Sequence, residues 1–595
     1  MAKKDYSNLT KDQLLEVIEK LEGKKKYGLV WDEERVPEKV VTDCQGKLPV
    51  LTEVKGKEIT TDENEPTHIL IEGDNYHALS VLNYTHKGKI DLIYIDPPYN
   101  TGKADNIFVY NDKIVDLNDT WRHSKWLNFI NKRLELAKPL MKPHCPIFIS
   151  IDDNEVANLR LVCNKIFGEQ NFIACLPTIM NLKGNQDQFG FAGTHEYTLV
   201  YCYDKTATKL NEFEIDEEEI DDWVEDEIGF YKKGANLKST GVNAPRTKRP
   251  YLYYPILVDN ETKEVSSITT EEYKKIYDKE TKTFDDDFVA ELKKKYEKKG
   301  NSFFLPMTNG ELMSWRWKRD KVINETHNII ITGENGDFGI YKKQRPSLSD
   351  IPSKKPKTIF YKAEYSSGNG TAQLKKIFGK KVFNNPKPVD LVKDFLRLGG
   401  NKNSLVLDFF AGSGTTAQAI LELNKEDEGV RSSILCTNNE NNICVEVTYP
   451  RINAIINGYE KGKTKQEGLG NNLKYFKTSF VANNRNKDQL KIDITKRCSE
   501  MLCLKEGIFN LIKEETDYKI FQQGNRYLAV YYDFANASLD ELKEAMNALK
   551  GEKVLYCFTV DNHGLDKSNF RGWKNIRLEP IPQKILDVYK RIFKN

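Results

Sequence analysis

The chain has 595 residues, 39% hydrophobic and 11% aromatic, which is too long for one core and apolar enough to build several domains. Lys plus Arg (90) nearly cancels Asp plus Glu (88), so a surface for a polyanion must come from local patches rather than from net charge. Ten cysteines without a C-x-x-C pair and eight histidines without metal-ligand spacing argue against a metal site. With no apolar signal segment at the start and no stretch of membrane-spanning length, the expectation is a cytoplasmic protein with free thiols.

Residues 1–45 open with Leu14, Leu15, Ile18 and Leu21 at helical spacing behind Thr10, which predicts a short amphipathic helix. From 46 to 205 strands and helices alternate. Ile69-Leu70-Ile71 is a strand ending in Glu72-Gly73-Asp74-Asn75, and Ile90 to Ile95 is a second. Asp96-Pro97-Pro98-Tyr99 stops that second run, because two prolines cannot continue a hydrogen-bond ladder. The result is a rigid turn holding a carboxylate and an aromatic ring at the carboxyl edge of a sheet, where open α/β sheets bind ligands. Pro146 to Ile151 and Tyr197 to Tyr201 are further strands.

Between 206 and 355 the alternation breaks. Residues 212–227 carry eleven acidic and no basic side chains, and 229–255 carry six basic and no acidic ones, a change that marks a separate domain. Lys232, Lys233, Lys238, Arg246, Lys248 and Arg249 form a candidate phosphate-contact surface, which Arg316, Lys318, Arg319, Lys342, Lys343 and Arg345 extend. The acidic run is expected in solvent or folded against the basic face.

Alternation resumes over 356–474 with a helix from Val389 to Leu398 and a strand, Ser404 to Phe410. Ala411-Gly412-Ser413-Gly414 follows and leads into a helix from Thr415, a turn that lets a ligand approach backbone N–H groups at a helix amino terminus. It lacks both the third glycine of a dinucleotide fingerprint and the Gly-Lys-Ser/Thr of a phosphate loop. Beyond the strand Ser433–Thr437, Glu440, or failing it Glu446, is placed to bind ribose hydroxyls. Residues 475–595 alternate again, with strands near 527–533 and 553–560 and a helix near 539–549.

Asp-Pro-Pro-Tyr together with Phe-Ala-Gly-Ser-Gly resembles the amino-methyltransferases of DNA that use S-adenosylmethionine. The tetrapeptide precedes Gly412 by 316 residues, which resembles the permuted beta class. Gly28-Leu29-Val30-Trp31, Asp96 to Gly102, Gly234-Ala235-Asn236-Leu237 with Arg249-Pro250, and Val447-Thr448-Tyr449-Pro450-Arg451-Ile452 resemble the modification subunit of Type III restriction-modification systems. The implied fold is a doubly wound, circularly permuted α/β sheet with an inserted target-recognition domain (206–355) and a small α/β C-terminal domain (475–595) concerned with assembly.

The resemblance implies that S-adenosyl-L-methionine is held by Asp74 and Asn75 at its adenine and by Lys387 of Asn-Pro-Lys-Pro at its methionine end. Asp408, Phe410, Gly412, Gly414, Thr415 and Glu440 complete that set. Double-stranded DNA is the implied substrate, with Asp96 favouring adenine N6 over cytosine N4. A homodimer and a helicase-nuclease restriction subunit are the implied partners.

The residues suit that chemistry. A purine amine is a poor nucleophile until its lone pair is localised, which Asp96 and the Pro97 carbonyl would do by accepting its two N–H bonds. Tyr99 would stack on a base flipped from the duplex. The segment from Asn100 to Trp121 is expected as a loop near that base. Trp121 and Trp126 are expected in the core, Asp152-Asp153 in a structural turn, and His195-Glu196 in a loop that shapes the pocket. Three alternatives stay open: a solitary or Type II-like adenine methyltransferase, a DNA-recognition scaffold without catalysis, and methylation of RNA or protein.

Overall fold

The computed structural model describes residues 10, 11, 13–15, 31 and 38–593, apart from 103–107, 111–112, 182–183, 189, 215–222, 334–338, 346–352, 462–463, 484–485, 533–538, 561–564 and 566. Most of the expected N-terminal helix and Gly28-Leu29-Val30 lie outside the described residues. The chain divides into two compact units, one of residues 1–211 and 357–595 and one of residues 212–356.

The first unit is built on a nine-stranded sheet: β1 (Lys47–Glu53), β2 (Thr67–Glu72), β3 (Leu92–Ile95), β4 (Pro146–Ile151), β5 (Phe172–Ile179), β6 (His195–Cys202), β7 (Leu405–Asp408), β8 (Ser432–Thr437) and β9 (Asn472–Ala482). Their order across the sheet is β1-β9-β2-β8-β7-β3-β4-β6-β5. The strands β9, β2, β8, β7, β3 and β4 run parallel to one another, while β1 is antiparallel to β9 and β6 to both its neighbours. Parallel strands are covered on both faces and so read as unbroken apolar runs, and β3 (Leu-Ile-Tyr-Ile) and β4 are buried throughout.

Helices α1 (Asn75–Thr85), α2 (Arg122–Ala137), α3 (Val156–Phe167), α4 (Ser367–Phe378), α5 (Val389–Gly399), α6 (Thr415–Asp427) and α7 (Tyr449–Asn457) accompany the sheet. Every residue of α1 is buried, and Asp74 caps its first turn by accepting the Tyr76 N–H at 2.7 Å. A carboxylate at that position satisfies a helix-end donor that nothing else would reach.

The last region does not begin at 475. Strand β9 crosses that expected boundary and completes the main sheet between β1 and β2, because its alternating residues pair with strands more than 400 positions away. A five-stranded sheet follows, from Asn510–Glu514 to Ile576–Ile581. The final helix, Gln583–Ile592, buries Ile585 and Tyr589 in the same core as α1, with the Tyr589 hydroxyl donating to the Pro49 carbonyl.

The second unit spans Glu212–Pro356 rather than 206–355. It contains a four-stranded antiparallel sheet of Trp223–Asp226, Gly229–Asn236, Gly339–Gln344 and Ile329–Thr332. A three-stranded sheet lies beside a helix, Asp286–Glu297, capped by Asp285. Its core includes Leu237, Tyr254, Trp315 and Ile340, with the Trp315 indole donating to the Tyr254 carbonyl at 2.6 Å.

Candidate active site

The carboxyl ends of adjacent parallel strands bring together segments far apart in the chain. Strand β7 pairs with β3 on one side and β8 on the other, so the glycine turn after β7 lies beside the Asp96 turn after β3. The turns after β2 and β8, carrying Asp74 and Glu440, lie on the same edge. Antiparallel β6 begins where β4 ends, with Tyr197 opposite Ile151. That register puts Glu196 at the carboxyl edge too.

His195-Glu196 is therefore the opening of strand β6, not a loop. The Tyr99 hydroxyl donates to Glu196 Oε2 at 3.2 Å, and Lys387 Nζ reaches the Tyr99 oxygen at 2.6 Å and the two Glu196 oxygens at 2.8 and 2.9 Å. Lys387 Nζ also lies in ion-pair range of Asp96 Oδ1 at 3.3 Å; that oxygen, like Glu196 Oε1, accepts no hydrogen bond of regular geometry from the described residues, so the regular bond of Lys387 to a carboxylate here is to Glu196 Oε2. The Lys387 side chain is thus turned to Asp96 and Tyr99. Burial alone would lower its pKa, but the carboxylates of Asp96 and Glu196 outweigh that and hold it above its ordinary value. Burial, with Asp96 and Glu196 adding to it, pushes the Tyr99 phenol well up.

The turn is held from behind. Trp126 is fully buried and its indole donates to the Pro98 carbonyl at 2.7 Å, whereas Trp121 is 43% exposed and outside the expected core position. Asn100 adopts a left-handed backbone (φ 56°) and donates to the buried Glu155 at 2.5 Å. Glu155 also meets His123 Nδ1 at 2.6 Å and accepts from Asn158 at 2.7 Å. After Gly102, Val109–Tyr110 and Lys113–Ile114 form a two-stranded ribbon. Asp152 accepts from Asn154 in a turn, its carboxyl raised by burial, and Asp153 is exposed.

At the glycine turn Gly412 and Gly414 take φ of 49° and 82°, the left-handed region that costs a residue with a Cβ. Asp408 is buried; it accepts from the Phe410 N–H at 2.9 Å and the Thr416 hydroxyl at 2.5 Å. Burial pushes its carboxyl up to about 7 despite those donors. Thr415 donates to the Lys387 carbonyl at 3.3 Å, and the half-buried Phe410 ring rests 5.7 Å from Phe129.

Beneath the turn, Arg451 donates to Gln418, to Ser413 and to Thr415 Oγ1. No carboxylate pairs with it among the described residues, and burial pulls its pKa down to about 9.

Asp74 pairs with buried Arg133 at 3.3 Å, which also pairs with Glu38 at 2.7 Å. Asn75 donates to the Phe409 carbonyl at 2.9 Å and accepts from Arg133, so both ends of its side chain are used inside the protein. Glu440 and Glu446 are both exposed.

Glu155, Arg133 and Arg451 carry no individual role in the sequence reading, and Glu196 only that of a pocket-shaping loop. Each acts through partners tens to hundreds of residues away, and only the His-Glu-Tyr opening of an alternating strand hinted at Glu196.

The edge fits S-adenosylmethionine by its donor set. The amino end of α6, backed by the Arg451 charge, suits a carboxylate. Acids at the ends of β2 and β8 suit ribose and adenine donors. Among the described residues no group of three or more His, Cys, Asp or Glu could hold a metal ion.

A sequence model described as DNA methylase matches residues 90–467. The chain belongs to the DNA methylase family. It is 39% identical over 460 residues to the Type III restriction-modification enzyme EcoPI Mod subunit of Escherichia phage P1, covering 72% of this chain. The match covers 66% of that protein, just under two thirds of its length. It is 31% identical to the Type II methyltransferase M.KpnI of Klebsiella pneumoniae, over 62% of this chain and 79% of that protein. It is 30% identical to the StyLTI Mod subunit of Salmonella typhimurium, over 64% of this chain and 53% of that protein.

The candidate DNA contacts in the methylase's second unit divide by their partners. Lys248, Arg249 and Lys318 are exposed, Lys233 is exposed and lies 3.9 Å over the Tyr341 ring, and Lys232 lies 4.9 Å over Trp223. Lys238 donates to the Met307 carbonyl at 2.7 Å, and Arg316 to the Lys238 carbonyl at 3.3 Å. Arg246 is half-buried in a two-bond pair with Asp286 at 2.6 and 2.8 Å, over Tyr253 and Phe284, which makes it a packing residue rather than a free cation. Arg345 and Lys343 both pair with Asp226 at the end of the acidic run, and buried Arg319 donates to the Ile268 carbonyl. Residues 215–222 of that run lie outside the described residues.

Proposed function

We propose that this DNA methylase transfers a methyl group from S-adenosylmethionine to adenine N6 in duplex DNA. In this reading it serves as modification and recognition subunit of a Type III restriction-modification system. The observation that supports the reading most is the part-exposed Asp96 carboxylate beside the glycine turn, whose Oδ1 is ion-paired to Lys387 at 3.3 Å but accepts no hydrogen bond of regular geometry from the described residues. A flat base with an exocyclic amine supplies the donor that such an acceptor lacks.

S-adenosylmethionine, when bound, supplies a methyl group made electrophilic by a sulfonium. The Gly412–Gly414 turn and α6 would hold its methionine end, Asp74 and Glu440 its nucleoside end. Asp96 accepts an N–H of the target amine, localising the nitrogen lone pair, and then bears the proton that leaves. The Pro97 carbonyl takes the second N–H, since the Pro98 carbonyl is already occupied by Trp126. Tyr99 offers its ring to a flipped base.

The chain order, tetrapeptide before glycine turn, supports a permuted beta-class arrangement, with residues 212–356 as the recognition domain inserted between the halves. Similarity to the Mod subunits supports a homodimer and a helicase-nuclease partner; similarity to M.KpnI over most of that protein keeps a methyltransferase without such a partner as the second reading. No helix among the described residues is long and apolar enough to cross a membrane, and the proposed location is the cytoplasm.

The test is transfer of labelled methyl groups to unmethylated bacterial DNA, followed by identification of the modified base. We expect N6-methyladenine, and in Asp96→Ala a loss of at least about a thousandfold in transfer with DNA binding kept. Label on cytosine, or full transfer by the variant, overturns the reading.

A further inference from the structure

Three charged groups meet at the carboxyl edge from three separate segments: Asp96 after β3, Glu196 at the start of β6, and Lys387 ahead of α5. They sum to one negative charge when all are ionised. Their exposures are unequal, 28% for the Asp96 side chain against 12% for Glu196 and 9% for Lys387. Asp96 is the carboxylate that faces outward, and Glu196 stands behind the cation.

The distances are also unequal. Lys387 Nζ is at 2.8 and 2.9 Å from the two Glu196 oxygens and 3.3 Å from the nearer Asp96 oxygen. A lysine in a buried site pairs with whatever carboxylate it can reach, and a cation seated on Asp96 would occupy the acceptor that the substrate amine needs. Building on the function proposed above, we propose that Glu196 is a positioning residue for methyl transfer. It holds Lys387 on itself, keeps Asp96 open to the amine, and keeps the group at one net negative charge until a proton arrives.

In the step this supports, the amine nitrogen bonds to the methyl carbon, the electron pair of the broken carbon–sulfur bond staying on sulfur. Asp96 takes one amine proton. The three-residue group passes from a net charge of minus one to neutral, so the positive charge that develops on nitrogen is met by a pre-set opposite charge.

The titratable groups around Glu196 are Asp96, Tyr94 and Tyr99 from β3 and its turn and Lys387 ahead of α5. Farther out, Asp152 acts on Lys387, and Asp408 acts on Asp96 and Tyr94. Burial raises the Glu196 carboxyl above its ordinary range, Lys387 opposes that rise, and Asp96 adds to it.

The experiment compares Glu196→Gln, Glu196→Asp and Lys387→Met with the full-length wild type, each checked for folding by circular dichroism. For Glu196→Gln we expect kcat down at least about tenfold near neutral pH, KM for S-adenosylmethionine within about twofold, and the acid limb of the kcat profile moved to lower pH. The limb moves down because Lys387 is then left to Asp96 alone. Lys387→Met, which leaves two carboxylates facing each other, moves the limb up. Glu196→Asp recovers part of kcat.

A readout independent of turnover is the infrared carboxylic-acid band of the unliganded protein that disappears in Glu196→Gln, and its titration moves to higher pH in Lys387→Met. Unmoved acid limbs in both variants, or an infrared titration indifferent to Lys387, overturn the inference. If the wild type transfers no methyl group at all, the functional reading fails separately, and the infrared titration alone decides whether Glu196 and Lys387 are coupled.

Discussion

The carboxyl edge of the large sheet and the basic face of residues 212–356 are both rich in charge, but they use it differently. At the edge Asp408, Lys387 and Arg451 are buried and Glu196 nearly so, each held by named partners; burial moves Asp408, Glu196 and Arg451 from their ordinary titration, while the carboxylates of Asp96 and Glu196 hold Lys387 up against it. In the second unit Lys248, Arg249 and Lys318 stand in solvent, while Arg246, Lys343 and Arg345 are tied to acids of the same unit. The difference teaches that a charge acquires directed chemistry where water is excluded and geometry is imposed. Exposed charge supplies a screened, long-range pull.

Asp408 gives the largest test of that contrast. Its carboxyl stays protonated in the folded state to about 7, against an ordinary value of 3.8. The folded form therefore binds more protons than the unfolded one across that window, and stability falls as pH rises from about 4 to about 7. Asp408→Asn, whose one amide oxygen still accepts from the Phe410 N–H while its NH2 group donates to a Thr416 hydroxyl turned to accept, should flatten the fall. The expected recovery near pH 7 is on the order of a few kcal/mol in urea unfolding. An unchanged slope would mean that burial does not govern this edge.

A smaller effect is expected at the turn. Gly414 sits at φ 82° with Thr448 Cγ2 3.3 Å from where a Cβ would go. Gly414→Val should cost about 2 kcal/mol locally and raise the Kd for S-adenosylmethionine at least about tenfold by calorimetry. Wild-type affinity in that variant would show that the turn does not hold the ligand.

The smallest effects belong to the exposed face. Lys248→Glu with Arg249→Glu should weaken DNA binding about tenfold at low salt and flatten the dependence of log K on log salt by about two. Arg246→Ala should leave that slope alone and instead lower stability by about 1 kcal/mol, because its guanidinium is spent on Asp286. Equal slopes in the two variants would erase the distinction between free and paired cations.

Local signals were legible in the sequence. The apolar runs at 69–71, 146–151 and 433–437 lie inside observed strands, and the run at 90–95 contains β3, which starts two residues later at Leu92. The proline pair stops β3 and the glycine turn opens α6, because backbone propensity acts over a few residues. The expected strand over 404–410 is shorter, ending at Asp408 whose side chain turns back to cap the Phe410 N–H.

Non-local pairing was not legible. Strand β9 looked like the start of another domain, and Glu196 looked like part of a loop, since each owes its place to strands far away in sequence. By itself the sequence determined six of the nine strands of the large sheet, where the rigid turns fall, and the family those turns resemble. Only the tertiary structure decided that Glu196 and Lys387 stand behind Asp96, that Arg451 underlies the glycine turn, and which cations are already paired. Those facts depend on sheet order and burial, which no short stretch of residues encodes.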